Sequence, residues 1–254
     1  MSIIIKNKEQ IEGIRESCRR DAEILRKVAE RVAPGVTTNE LDTYAKEIIE
    51  EIGDRSAFYN YKPAGARTPF PGTICISVNE EVVHGLPSDY ALQKGDIVSL
   101  DCGLIHKDTY FSDHAITVPV GEISDEAKKL LNITRESLMV GIQAAQSGNT
   151  TGDIGHAIES FIDGRYGIVR TLAGHGVGLS VHEDPFIPNF GRPGKGDVLK
   201  PGMIIAIEPM LNIGGDDVDL ASDDWTFLTE DGGLSAHFEH TVLITEHGPE
   251  ILTR

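Results

Sequence analysis

Four stretches of the chain repeat apolar residues at helical spacing, and the remainder breaks into short β-rich runs. In 8–33, Ile11, Ile14, Cys18, Ala22, Leu25, Val28 and Val32 share one face, and Pro34-Gly35 stops the run. Thr38 stands where a second helix needs its N-cap. Leu41, Ala45, Ile48 and Ile52 line that helix, and Gly53 follows it. From about 56 to 120 the texture changes to runs such as TICISV, DIVSLDCGLI and HAITVPV, broken by Gly, Pro and Asn. Asp125-Glu126 open a third helix to about 146, and Thr151 to about Ile162 reads as a fourth. Strands and turns return over 168–254, with MIIAIEPML and HTVLITE the clearest. The order αα, ββ, αα, ββ predicts an α+β fold in two halves, each an antiparallel sheet with helices beside it. No Pro/Ser linker or low-complexity tract divides the chain, so 1–254 reads as a single domain.

Composition narrows the function classes. A chain of 254 residues with 40% hydrophobic content can bury a sizeable core. The 25% of charged residues is ordinary for a globular protein and argues against disorder. The net charge of −17 repels phosphate backbones, which argues against stable nucleic-acid binding. No apolar run approaches a membrane span, and the isoleucines of MSIIIKNKEQ are too few for a secretory signal. Cys18, Cys75 and Cys102 form an odd set without C-x-x-C, as expected of reduced thiols in a cytoplasmic protein.

Against this background four acids stand out of place. Asp101 sits in DIVSLDCGL, Asp113 in YFSDHAITV, Glu208 in MIIAIEPML and Glu239 in LSAHFEHTVLIT. Each lies in or beside a run that should be a buried strand, where an unpaired carboxylate is costly. A salt bridge or a strand end explains one such acid. Four of them, with no Lys or Arg anywhere in 201–240, point to a common cation. Hard oxygens with an imidazole suit a first-row divalent metal, and shared acids suggest two ions with a water activated between them.

The stretch GHGVGLSVHEDP, 174–185, holds the natural nitrogen donor, His175, with His182 seven residues on. Its glycines and Pro185 oppose a helix, and in a strand an odd spacing sends the two rings to opposite faces. The histidines therefore read as separate tools brought to one site by a bent segment, not as a simple metal-binding pair. Other chemistries lack their motifs. There is no G-x-S-x-G, HEDP is not H-E-x-x-H, and GHGVGL lacks the Lys-Ser/Thr of a P-loop.

Taken together, ICISVNEEVVHGLP, KGDIVSLDCG, FSDHAITVPVG, GHGVGLSVHEDP, KPGMIIAIEPM and SAHFEHTVLIT resemble the type I methionine aminopeptidases, of the pita-bread fold. The resemblance runs in order over nearly the whole chain. It implies that Asp101, Asp113, His175, Glu208 and Glu239 bind two divalent ions, with Asp113 and Glu239 bridging; Mn, Fe, Co and Zn all suit the donors. It implies that Glu208 also shuttles a proton, that His182 stabilises the oxyanion and that His84 contacts the peptide nitrogen and leaving group. Cys75, Trp225 and Phe70 would line a methionine pocket. The glycines beside His175 would let the backbone pass close to the site. The expected substrate is the N-terminal methionine of nascent chains, with small second residues preferred. The expected enzyme is a cytoplasmic monomer with at most transient proximity to the ribosome.

The chain departs from the family pattern in places. Asp101 and Asp113 are twelve apart, one more than the family spacing. A longer turn or a bulge near His106–Tyr110 would absorb the extra residue, with Asp108 as the local rival of Asp113. Val83 and Val181 stand where a cysteine and an aromatic are frequent. The segment AFYNYKPAGARTPFPG is longer than usual, which leaves its tyrosines unaligned. One rival reading is a prolidase or aminopeptidase P, which shares the fold and ligands but usually carries an extra N-terminal domain. The other is a metal-free pita-bread module that binds partners.

Overall fold

The computed structural model describes residues 2–63 and 66–254. The four predicted helices are present: α1 (Lys8–Ala29), α2 (Thr38–Glu51), α3 (Asp125–Ala144) and α4 (Thr151–Ile162). Asn7, Thr37, Ser124 and Thr150 cap them, each side chain accepting a backbone N–H of the first turn. Two boundaries differ from expectation. α1 stops at Ala29 because the chain tightens there: Arg31 N–H bonds Val28 O at 3.0 Å and Val32 N–H bonds Ala29 O at 3.1 Å. Those tighter turns lead the chain toward Pro34, yet Val32 still packs on the same core. Thr37, not Thr38, caps α2. Its hydroxyl accepts the Glu40 N–H at 3.2 Å, and the Glu40 carboxylate accepts the Thr37 N–H at 2.7 Å. Thr38 instead donates to Ser88 O at 3.0 Å. Ile52 falls outside α2 and is exposed.

Each helix pair covers one antiparallel sheet. In the first sheet, strand Ile97–His106 is central and pairs with Tyr110–Pro119, Cys75–Val78 and the short Arg55–Ser56. Leu25 and Val28 of α1 and Leu41, Ala45 and Ile49 of α2 pack on its Ile76, Val98 and Leu100. The second sheet has the order Gly248–Ile251, His240–Thr245, Ile204–Ile207, Gly174–Gly176, Glu183–Ile187. Leu138 and Ile142 of α3 and Ile154 and Ile158 of α4 pack on its Ile205, Ile207 and Val242. Each such fully buried Leu, Ile or Val contributes about 1.5–3 kcal/mol. The α+β reading in two helix-backed halves holds. Among the described residues, no helix is long and apolar enough to cross a membrane.

The halves meet where strands 110–119 and 240–245 run side by side. Glu239 N–H donates to Ala115 O at 2.9 Å. The Thr241 hydroxyl donates to Asp113 O at 2.7 Å and accepts the Asp113 N–H at 3.2 Å. The hairpin 97–106/110–119 keeps unbroken register from Ile97↔Pro119 to His106↔Tyr110. The additional residue between Asp101 and Asp113 is therefore taken up by a longer turn and not by a bulge. Lys107 and Asp108 occupy left-handed conformations there, with φ of 51° and 54°. Asp108 points away and pairs with Arg55 at 2.8 Å, which removes it as a rival to Asp113.

Candidate active site

The acids converge at this seam. Register places Cys75 opposite Asp101, Asp101 opposite Ala115 and Gly103 opposite Asp113. Strand alternation then puts both aspartates on one face. Gly103 shares that face, and a Cβ there would come within 2.7 Å of the Phe58 ring. The glycine thus makes room for an aromatic wall beside the acids. From the second sheet, Glu208 follows strand Ile204–Ile207 and Glu239 precedes strand His240–Thr245.

His175 lies between two glycines that the packing requires. A Cβ at Gly174 would sit 2.3 Å from Ala206 O, and one at Gly176 would sit 2.2 Å from Asp184 O. The glycines are thus required by close passage of the neighbouring backbone, where the expectation is close passage to the site itself. The register shifts between His175 and Gly176, and the chain loops back into strand Glu183–Ile187. That bend brings the His175 and His182 rings to 4.4 Å between centroids. The odd spacing is overcome by a loop, as the bent-segment reading requires.

Asp101, Asp113, His175, Glu208 and Glu239 all line one cavity of about 300 Å³. His175 Nε2 lies 3.7 Å from Asp113 Oδ2 and 3.5 Å from Glu208 Oε1. Burial pushes Asp101 up to about 7. Burial and the neighbouring Asp101 hold Asp113 well above the carboxylate range, and burial and Asp113 do the same to Glu239. Glu208 differs. Burial raises it, but His237, His175 and His182 together outweigh that and hold it below its ordinary value. Asp101 Oδ1, Asp113 Oδ1 and Glu239 Oε1 are buried without a hydrogen-bond partner. Among the described residues, no lysine or arginine pairs with any of the four acids. Crowded, unpartnered oxygens with an imidazole fit a divalent cation. Two groups of donors each converge within 4.8 Å: Asp113, His175 and Glu239, and Glu208, His237 and Glu239.

An apolar chamber adjoins the acids. Phe58, Phe70, Cys75, Val181 and Trp225 pack together, with Phe70 edge-on to Trp225 at 5.2 Å between centroids. Val83 packs elsewhere, with Val82, Val169 and Met210. Burial holds the Cys75 thiol well above its ordinary pKa, so it stays protonated. His84 is held in a left-handed conformation, φ 58°, with Trp225 and Phe227 edge-on to its ring. Burial lowers it to about 4. His182 stands at the rim. Burial, and then the His175 ring, lower its pKa to about 4 against the opposing pull of Glu208.

Three lining or neighbouring residues escape sequence reasoning. Tyr61 bonds Nδ1 of His182 at 2.8 Å. It belongs to the unaligned segment, of which 64–65 lie outside the described residues. Phe58 comes from the same segment. His237 carried a legible signal: it stands two residues before Glu239, the spacing that puts strand neighbours on one face.

Comparison with known proteins agrees with this geometry. Residues 12–246 match the model of metallopeptidase family M24. A methionine aminopeptidase of Clostridium acetobutylicum is 46% identical over 99% of this chain and 98% of its own. The crystal structure of methionine aminopeptidase from Rickettsia prowazekii superposes with a TM-score of 0.95 at 38% identity, covering 100% of both chains. A prolidase from Pyrococcus furiosus shares the pita-bread fold at a TM-score of 0.76 and 28% identity, and this chain covers only 65% of it. Membership in a metallopeptidase family agrees with the carboxylate–histidine clusters and with divalent-metal use. The chain belongs to metallopeptidase family M24, among its methionine aminopeptidases.

Proposed function

We propose that this chain removes the N-terminal methionine from nascent proteins, as one catalytic unit spanning 1–254, with two divalent ions held by Asp101, Asp113, His175, Glu208 and Glu239. The observation that carries the reading is the junction of two surfaces in one cavity: partnerless buried acids around an imidazole, and an apolar chamber beside them. Bound Mn, Fe, Co or Zn would polarise the scissile carbonyl and lower the pKa of a water.

The chain's own groups divide the remaining work. Glu208 is held ionised by the surrounding histidines, so at neutral pH it can take a proton from water and return it to the leaving amine. His182 presents its Nε2 to the developing oxyanion while Tyr61 holds Nδ1. His84, neutral at pH 7, hydrogen-bonds the peptide nitrogen. Phe70, Cys75 and Trp225 enclose the methionine side chain, where a soft apolar wall suits a thioether. The preference for small second residues rests on the likeness to methionine aminopeptidases.

Hydrolysis of Met-Ala-Ser and Ala-Pro-Ala, with each of the four metals and after chelation, tests this. Met-Ala-Ser should be cleaved faster, and chelation should abolish the activity. Preference for Ala-Pro-Ala would favour the aminopeptidase P reading, and full activity after chelation would refute the metal role. Equal turnover of Met-Ala and Met-Lys peptides would overturn the size preference.

A further inference from the structure

His237 lies outside the ligand set that the sequence implies. Its side chain is 2% exposed. Neither ring nitrogen has a hydrogen-bond partner. Nε2 lies 3.6 Å from Glu208 Oε2 and 3.9 Å from Glu239 Oε2. These separations are too long for hydrogen bonds, yet the three side chains aim at one point. A polar ring stripped of water and left without partners is costly unless something absent from the protein itself satisfies it. Two carboxylates facing the same nitrogen indicate a cation as the missing partner.

The arrangement repeats that of His175. One group of donors pairs His175 with Asp113 and Glu239, the other pairs His237 with Glu208 and Glu239, and Glu239 belongs to both. The backbone of His237 is also fixed. Its N–H donates to Thr117 Oγ1 at 2.9 Å, and its carbonyl accepts from the same hydroxyl at 2.8 Å. Ser99 Oγ lies 2.8 Å from that oxygen and supplies its further hydrogen bond. A ring mounted on a backbone pinned in this way is already oriented for a ligand.

We propose that His237 is a metal ligand, so that each of the two ions is held by its own imidazole, His175 for one and His237 for the other, with Glu239 shared between them. The inference rests on the metal-dependent reading above and adds a second nitrogen donor to it. The competing role for His237 is a counter-ion to Glu208, which would leave it off the metal.

Cobalt(II) separates the two roles. The full chain, freed of metal with a chelator, is titrated with Co(II) by calorimetry, and the bound imidazoles are counted by X-ray absorption at the cobalt edge. Wild type should bind two ions with an average of one imidazole per ion. His237→Gln should weaken one of the two sites by roughly tenfold or more, since even partners behind a ligand are worth that much. It should also halve the imidazole count and leave the other site intact. His175→Gln should give the reciprocal pattern. Unchanged affinities and an unchanged imidazole count in His237→Gln would overturn the proposal. So would a wild-type average of half an imidazole per ion, a result that decides the matter even where the variant fails to fold. Failure of wild type to bind cobalt at all would instead overturn the metal-dependent reading on which the proposal rests.

Discussion

The Tyr61 hydroxyl lies 2.8 Å from Nδ1 of His182, and this contact determines what the other ring nitrogen offers to a substrate. A neutral imidazole has one donor and one acceptor nitrogen. When the phenol donates to Nδ1, the proton of the ring resides on Nε2. The Tyr61 pKa is raised by burial and by Asp113, which keeps the phenol protonated. Tyr61→Phe should lower kcat on the order of tenfold, as loss of a partner that orients a functional imidazole commonly does. KM and metal content should change little. An unaltered kcat would show that the contact merely packs the rim.

The two histidines of the glycine-rich stretch should respond differently to removal. His175→Ala should lower metal content and activity together, with partial rescue by excess metal. His182→Ala should keep its metal and slow the chemical step by on the order of 10²–10³, the usual loss for an oxyanion donor. Bound metal, melting temperature and single-turnover rate distinguish the outcomes. A His182→Ala protein with normal turnover, or one stripped of metal, would contradict the assigned role.

Lys6 and Glu183 form an ion pair at 2.5 Å that is sealed from solvent. The other Glu183 oxygen accepts the Leu179 and Ser180 N–H groups at 2.7 and 3.2 Å, shaping the loop that ends in His182. Lys6→Met leaves a buried carboxylate without its cation, and should cost about 3–5 kcal/mol in denaturant unfolding. Adding Glu183→Gln should recover part of that loss. Equal stability of wild type and Lys6→Met would mean that the pair contributes nothing.

Asp21 lies fully buried on α1, behind the acid-bearing hairpin, and accepts from the Ser112 hydroxyl at 2.7 Å. Burial raises its pKa from 3.8 to about 8. Between those values the folded chain retains a proton that the unfolded chain has released. This acid therefore lowers stability progressively as pH rises from about 4 to about 8. Asp21→Asn should raise the melting temperature at pH 8, and the gain should shrink toward pH 4. A gain that does not vary with pH would refute the assignment.

The helices were legible because their signals are local. Apolar spacing, a cap and a stop lie within one stretch, and only the ends went astray: Thr38 for Thr37 as a cap, and helix ends placed beyond Ala29 and Glu51. The four acids were legible for the opposite reason, since each contradicts the run that contains it. Tyr61 was not, because it lies in a loop without periodicity, and only the fold carries it to His182. The seam between Asp113 and Thr241 joins residues 128 positions apart, and no local pattern encodes such a contact. His237 fell between these cases. Its alternation with Glu239 was visible, but a histidine disturbs an apolar run less than a carboxylate does.

That seam has a thermodynamic meaning. Asp101 and Asp113 belong to one sheet, and His175 lies in the other with Glu208 and Glu239 at the ends of its strands, while a few hydrogen bonds from Thr241 and Glu239 hold the edges together. The two ions proposed to be held by these five residues would act as rivets through both halves, because without them the acids crowd one another along the line where the halves meet. Filling the site and closing the fold then become one linked equilibrium. Each tenfold rise in free metal above a site's Kd would add about 1.4 kcal/mol to the stability of the whole chain, so metal supply would set the fraction of chain that stays folded as well as its turnover.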